Sequence, residues 1–219
     1  MAPEAFAPGG KGFASTLNVR LMHAAVRHHL LAGDQWDHAW GFPINQEDMA
    51  GTIGAFSWIV LHGLRKMGYV VETDRANDYF HLWRVIGYLM GVQPELLPTN
   101  GKEAYWLDKR IAERHFRRSE AGTTLAGALL KAIEEAPETQ DLPDGFAATY
   151  MRFLLGEEVA DILAIPHGSA EARRLLTPYQ LRNLFTSLTQ PRNDRGYRQF
   201  RERIEREQRG NPVRFALPL

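Results

Sequence analysis

Cysteine is absent from all 219 residues. That excludes a disulfide framework, a zinc–thiolate centre and a thiol nucleophile. It fits a cytoplasmic protein, since cytosolic disulfides are rare. Net charge is also missing, because 26 Lys and Arg balance 26 Asp and Glu. No global field draws the chain to nucleic acid or an acidic membrane, so no nucleic-acid partner is expected. Long apolar runs are lacking too. The longest, "GAFSWIVLHGL" at 54–64, is about half a membrane span and contains His62, so no transmembrane segment is expected. The start, "MAPEAFAPGGKGFAST", has no apolar core of a signal peptide. There is no G-x-S-x-G elbow, P-loop or dinucleotide fingerprint. Internal repeats, low-complexity segments and convincing alternating strands are likewise missing.

What is present is the composition of a folded domain, 44% hydrophobic and 24% charged. Residues 1–13, rich in Ala, Pro and Gly, read as a flexible arm. Residues 14–190 read as one helical domain and 191–219 as a charged tail. Ser15 or Thr16 is placed to cap a helix running to about Leu31, stopped by Gly33 and Asp34. Residues 34–45, with Trp36, Trp40, Gly41 and Pro43, suggest a packed loop. Asn45 and Asp48 then resemble an N-cap with an acidic third-position partner. Met49, Ile53, Phe56, Val60 and Leu64 keep a spacing of three or four, which predicts a helix to about Met67. "GYVVET" reads as an extended link, and Thr73 or Asp74 opens the next helix. Further helices are expected near 101–117, 122–136, 144–164 and 170–189. The tail places Tyr197, Phe200 and Ile204 on one helical stripe, suited to docking on the body or on a second subunit. The class is all-α, a multi-helix bundle.

"RLMHAAVR", residues 20–27, is the stretch with chemistry in it. On a helix, Arg20, Arg27 and Leu30 surround His23, with Val19 and Val26 as apolar shoulders. An imidazole lies between two guanidinium groups, and a buried Arg calls for an anionic partner. Haem satisfies the pattern: iron takes a neutral imidazole, and the propionates suit Arg. The alternative is a hydrogen-bonded core histidine with both arginines paired to Asp or Glu. His28 and His29 face different directions near the helix end and read as solvated.

The segments that follow narrow this choice. "RLMHAAVR", the G-x-P-I-N-Q loop at 41–46, Thr52 and Phe56, and W-R-x-x-G-x-x-x-G at 83–91 with Pro98 occur in an order that resembles the latex clearing protein (rubber oxygenase) family and its ER-bound oxygenase relatives. The resemblance covers about 18–100 and continues, mainly as helical pattern, to about 165. It implies an all-α fold with a globin-like core and haem b as cofactor. It implies His23 as the proximal iron ligand, and Arg20 and Arg27 as residues that hold the helix and haem environment together. Thr52 and Phe56 correspond to pocket positions. The implied reaction is dioxygen-dependent oxidation or cleavage of an apolar, unsaturated, isoprenoid-like substrate. Family members carry an upstream segment that supplies the distal side of the haem. Only some 18 residues precede the motif here, and Lys11 is not equated with the family's distal lysine. Three situations fit: a fragment, a second subunit or homo-oligomer that completes the site, or loss of the chemistry. The last leaves a helical interaction protein or a haem sensor. No catalytic acid or base is named.

The remaining features read as structural. Glu47 and Asp48 are acids favoured by a helix N-terminus, while Asn45 and Gln46 tie the loop to a neighbouring helix. Trp83 is a core aromatic, and Gly87 and Gly91 permit a close helix crossing. His62 and His81 are structural or solvated. Lys109–Arg118 is a solvated basic face.

Overall fold

The computed structural model describes residues 4–33, 36–136 and 139–189, with isolated positions at 198, 202 and 206. Among them every regular element is helical. They are α1 (Lys11–Ala32), α2 (Gln46–Phe56), α3 (Trp58–Lys66), α4 (Thr73–Met90), α5 (Gly101–His115), α6 (Glu120–Glu134), α7 (Phe146–Leu155), α8 (Glu157–Ile162) and α9 (Ala170–Thr189), with 3-10 turns at His38–Trp40 and Pro94–Leu96.

The expected helices are present, and three differences have physical causes. Helix α1 begins at Lys11, ahead of Ser15 and Thr16. The preceding residues fold back on it, with the Phe13 amide donating to Ala5 O at 3.1 Å. Thr16 is therefore inside the helix and buried, and its hydroxyl donates to Gly12 O at 2.8 Å instead of capping. The helix expected from Asn45 to Met67 is broken at Ser57. Its buried hydroxyl donates to Ile53 O at 2.7 Å, and its backbone, at φ −107° and ψ −77°, stays right-handed but is distorted from the regular helix. A Ser inserted into the helical ladder in this way bends or breaks the helix. The segment expected at 144–164 breaks at Gly156, whose φ of +87° suits glycine.

Capping follows the sequence closely elsewhere. The Asn45 side chain accepts from the Glu47 and Asp48 amides, and Asp48 accepts from the Asn45 amide. Asn100 does the same for α5, accepting from the amides of Lys102 and Glu103. Each such cap is worth about 1 kcal/mol.

Two clusters of buried side chains flank α4. Met49, Ala50 and Ile53 of α2 meet Val92 and Leu97 just beyond α4, with Trp83, Ile86 and Met90 against them. Leu61 of α3, Ala76 and Phe80 of α4 and Ala104 of α5 form the second cluster. A fully buried side chain of this size contributes about 1.5–3 kcal/mol. A third cluster lies away from these, where Ala148 and Met151 of α7 pack with Ala160 and Ile165. Arg152 is buried beside it and ties α7 to α8. It donates to Ile165 O at 2.7 Å and pairs with Asp161 and Glu157. Helices α1 and α2 pack on α4, and α2 in turn meets α3 and α5.

Gly87 is the tightest point of that assembly. A Cβ there would lie 2.6 Å from Leu97 Cδ2 and 3.4 Å from Ile53 Cγ1, and both neighbours are buried. The close crossing expected of this glycine is present. Gly87→Ala is expected to destabilise the fold by about 1–3 kcal/mol through overpacking. Urea denaturation of the two proteins checks this, with a lower midpoint and an unchanged slope as the expected result.

Candidate functional site

Arg20, His23 and Arg27 lie on one face of α1, as the spacing required. Arg27 reaches across to the 41–46 loop. Its Nε donates to Pro43 O at 3.0 Å and its Nη2 to Ile44 O at 2.7 Å. Its guanidinium carbon lies 5.6 Å from the centre of the Phe42 ring. Arg20 turns the other way, to the end of α4. Its Nη1 donates to Leu89 O at 3.2 Å, and its guanidinium packs on Gly91. Gly91 has φ +89°, and a Cβ there would sit 3.3 Å from the Arg20 guanidinium carbon. The glycine is needed both for the turn and for the close approach.

Among the described residues neither arginine forms an ion pair; both use backbone carbonyls. The physical reason is local. Helix ends and tight loops leave carbonyl groups without intrahelical partners, and a guanidinium fork can satisfy two of them at once. Gln46 closes the circuit, donating from Nε2 to Gly91 O at 3.0 Å and accepting from the Gln93 amide at 2.8 Å. The loop therefore joins α1 to the end of α4, as the reading of Asn45 and Gln46 expected.

His23 sits half-buried between these anchors. Burial, and after it the charge of Arg27, pull its pKa below the ordinary value of 6.5. The imidazole is thus held neutral. Its Nδ1 is buried without a hydrogen-bond partner. For the alternative of a hydrogen-bonded core histidine, Nδ1 finds no such bond among the described residues. A buried polar atom left unpaired costs about 1–3 kcal/mol.

Thr52 and Phe56 lie on α2, four residues apart and both exposed. The Thr52 hydroxyl donates to Asp48 O at 2.9 Å. The Phe56 ring is 53% exposed and stacks on Trp83 of α4 at 5.2 Å. Helix α4 links the two groups, holding Arg20 through Leu89 and Phe56 through Trp83. Sequence reasoning missed two features here. Trp83 Nε1 and Arg84 Nε are buried with no hydrogen-bond partner, and residue type alone carries no signal of that. The expectation that Trp83 is a core aromatic agrees with its packing against the cluster that contains Met49, Ala50 and Ile53.

The remaining candidates are structural. Arg114 and His115, from the basic stretch at 109–118, reach Glu47 of α2 at 3.2 and 3.3 Å, so that face is only partly solvated. In the loop expected to be packed, Pro43 is fully buried while Trp40 and Phe42 are exposed. Glu157, Asp161 and His167 offer ligand atoms within 4.8 Å of one another, but both carboxylates are already paired with Arg152.

Two outcomes follow. Arg27→Lys keeps the charge and loses the fork, so it is expected to cost about 1.5–3 kcal/mol for the charged hydrogen bonds to Pro43 and Ile44. Thermal unfolding against wild type checks this. The second concerns pH. With its folded-state pKa lowered, neutral His23 adds stability in full above the unfolded value near 6.5, and that contribution falls as the pH drops through 6.5 towards the folded-state value. A proton NMR titration is expected to place the His23 midpoint below 6.5; a midpoint at or above that value contradicts the burial argument.

Comparison with known proteins gives the family and the fold. The chain matches the family model described as ER-bound oxygenase mpaB/B'/Rubber oxygenase, catalytic domain, over residues 4–190. It is 26% identical over 181 residues to the rubber oxygenase of Streptomyces sp. (strain K30), which covers 81% of this chain and 44% of that protein. The chain therefore spans less than half the length of that relative. It also resembles the structure of latex clearing protein in the closed state, with a TM-score of 0.73 and 24% identity, covering 98% of this chain and 59% of the other. That likeness bears out the all-α fold. With the family model spanning α1 to the end of α9, the chain belongs to the ER-bound oxygenase mpaB/B'/rubber oxygenase catalytic-domain family.

Proposed function

We propose that this chain forms the histidine side of a haem-b oxygenase, with His23 as the iron ligand. The observation that carries the reading is the state of that imidazole. It is neutral, which is the ligating form. Its Nδ1 has no partner in the protein, and the helix that bears it is clamped at both ends by Arg20 and Arg27. The donor set therefore fits a haem iron. The clamp supplies the rigid support that a ligand-bearing element requires. Arg27 is engaged by carbonyls, so its part is positioning rather than holding a propionate. Arg20 uses one of its five donors on Leu89 O and keeps others for a carboxylate. Phe56, exposed and stacked on Trp83, offers an aromatic surface to a flat apolar group, and Thr52 lies one turn away on the same face.

When bound, haem would supply the redox chemistry that adds dioxygen to a carbon–carbon double bond. The chain's own residues would orient the group and keep the His23 proton off the ligating nitrogen. The substrate class is an apolar, unsaturated small molecule or isoprenoid, as the name of the Streptomyces relative suggests. Among the described residues no helix is long and apolar enough to cross a membrane.

A second reading, a helical interaction module, has its own support. Leu17, Leu21, Met22 and Val26 are exposed on the same helix as His23, a grouping that marks contact surfaces.

One experiment separates the readings. Purified protein is reconstituted with haemin and its absorption spectrum compared with that of His23→Ala. A Soret band altered or lost in the variant is expected. No band, or one insensitive to the substitution, rejects the iron-ligand reading and favours the interaction module. Oxygen uptake with a polyisoprenoid then distinguishes an oxygenase from a haem sensor.

A further inference from the structure

The outer face of α5 carries two features that neither the core nor the His23 site uses. The first is charge. Residues 101–118 hold six Lys and Arg against three Asp and Glu, a local surplus of three in a chain whose net charge is zero. The three acids are already occupied. Glu103 accepts from the Thr99 amide at 2.7 Å and from Asn100 Nδ2 at 3.0 Å, and Glu113 lies 3.7 Å from Arg110. Asp108 is half-buried, and burial raises its pKa. Arg114 is taken by Glu47. Lys102, Lys109, Arg117 and Arg118 are exposed, and among the described residues none of them pairs with a carboxylate.

The second is a run of aromatic rings. His62 stacks on Trp58 of α3 at 5.3 Å between ring centres, Trp58 meets Tyr105 edge-on at 6.1 Å, and Tyr105 meets Trp106 edge-on at 5.2 Å. Lys109 Nζ lies 5.4 Å from the centre of the Trp106 ring. Tyr105, Trp106 and Phe116 are 44%, 49% and 44% exposed. At about 100° per residue, Lys102, Tyr105, Trp106 and Lys109 fall on one side of the helix. The opposite side carries Ala104, which packs with Leu61 and Phe80.

We infer that this face of α5 docks on an anionic lipid surface. Tyr105, Trp106 and Phe116 enter the headgroup boundary, where amphipathic rings are at home. Lys102, Lys109, Arg117 and Arg118 meet the lipid phosphates. Charge complementarity selects this occupant over a second copy, which would set cation against cation across a symmetric contact. Ring geometry selects it over nucleic acid. Base stacking needs open ring faces, whereas Tyr105 and Trp106 stand edge to face and Lys109 covers the Trp106 ring. The net neutrality of the whole chain conceals this face because it averages over it. The inference rests on neither His23 nor haem.

Flotation of the full chain with lipid vesicles tests it. One set is phosphatidylcholine alone, and the other also contains phosphatidylglycerol. Binding to the anionic set only is expected, weakening as salt is raised. Lys102→Glu with Lys109→Glu is expected to weaken it about twentyfold or more, at about fivefold for each cation taken from the surface. Lys131→Glu with Arg174→Glu makes the same change of charge on α6 and α9 and is expected to retain binding. Brominated lipid is expected to quench the tryptophan fluorescence of the bound protein, and less so in Trp106→Phe. Circular dichroism confirms that each variant keeps its helices. No binding, equal binding to neutral vesicles, equal loss in both double variants, or quenching insensitive to Trp106→Phe overturns the inference. So does capture of a labelled oligonucleotide in place of vesicles, which would assign the face to nucleic acid.

Discussion

The candidate site depends on one kind of interaction: a guanidinium group satisfied by backbone carbonyls. Arg27 holds Pro43 and Ile44, and Arg20 holds Leu89. A carbonyl at a helix end or tight turn is short of a partner, and a charged donor makes the stronger hydrogen bond. These bonds fasten α1 to two distant points, the 41–46 loop and the end of α4. Gln46 then fastens those two points to each other. The result is a closed circuit around His23 built almost wholly from backbone acceptors.

That arrangement explains the glycines and the loop. Gly91 sits under the Arg20 guanidinium in a conformation that suits glycine, and Asn45 caps α2 so that Gln46 emerges in the right direction. It also explains why the imidazole is uncharged. Arg27 lies one helical turn from His23 and opposes its protonation, adding to the effect of burial. The same arginine that fixes the helix therefore also adds, after burial, to the lowering of the histidine's pKa. Structure and electrostatics come from one side chain.

Much of this was legible in the chain itself. The periodic apolar residues located the helices, and Asn45 with Asp48 announced a capping box that is present. The spacing of Arg20, His23 and Arg27 placed all three on one face. Two breaks escaped, at Ser57 and Gly156. A Ser hydroxyl turned back onto its own helix and a glycine at positive φ leave the apolar period intact on both sides. The arginine partners also escaped, since any residue offers a carbonyl. Arg152 was invisible for a related reason: its burial follows from α7 packing against α8, and its two carboxylates lie at ordinary helical spacings.

Local rules, then, determined the helical class, the order of the elements and the face that carries His23. They act over a few residues, through periodicity, caps and turns. Tertiary structure alone decided what the arginines bind, which ring nitrogen is left without a partner, and where α4 brings Trp83 and Phe56 together. Those outcomes depend on contacts between residues tens of positions apart, such as Arg20 with Leu89 and Gln46 with Gly91. Burial and the pairing of backbone groups are properties of the packed chain, and they exist only once its distant segments meet.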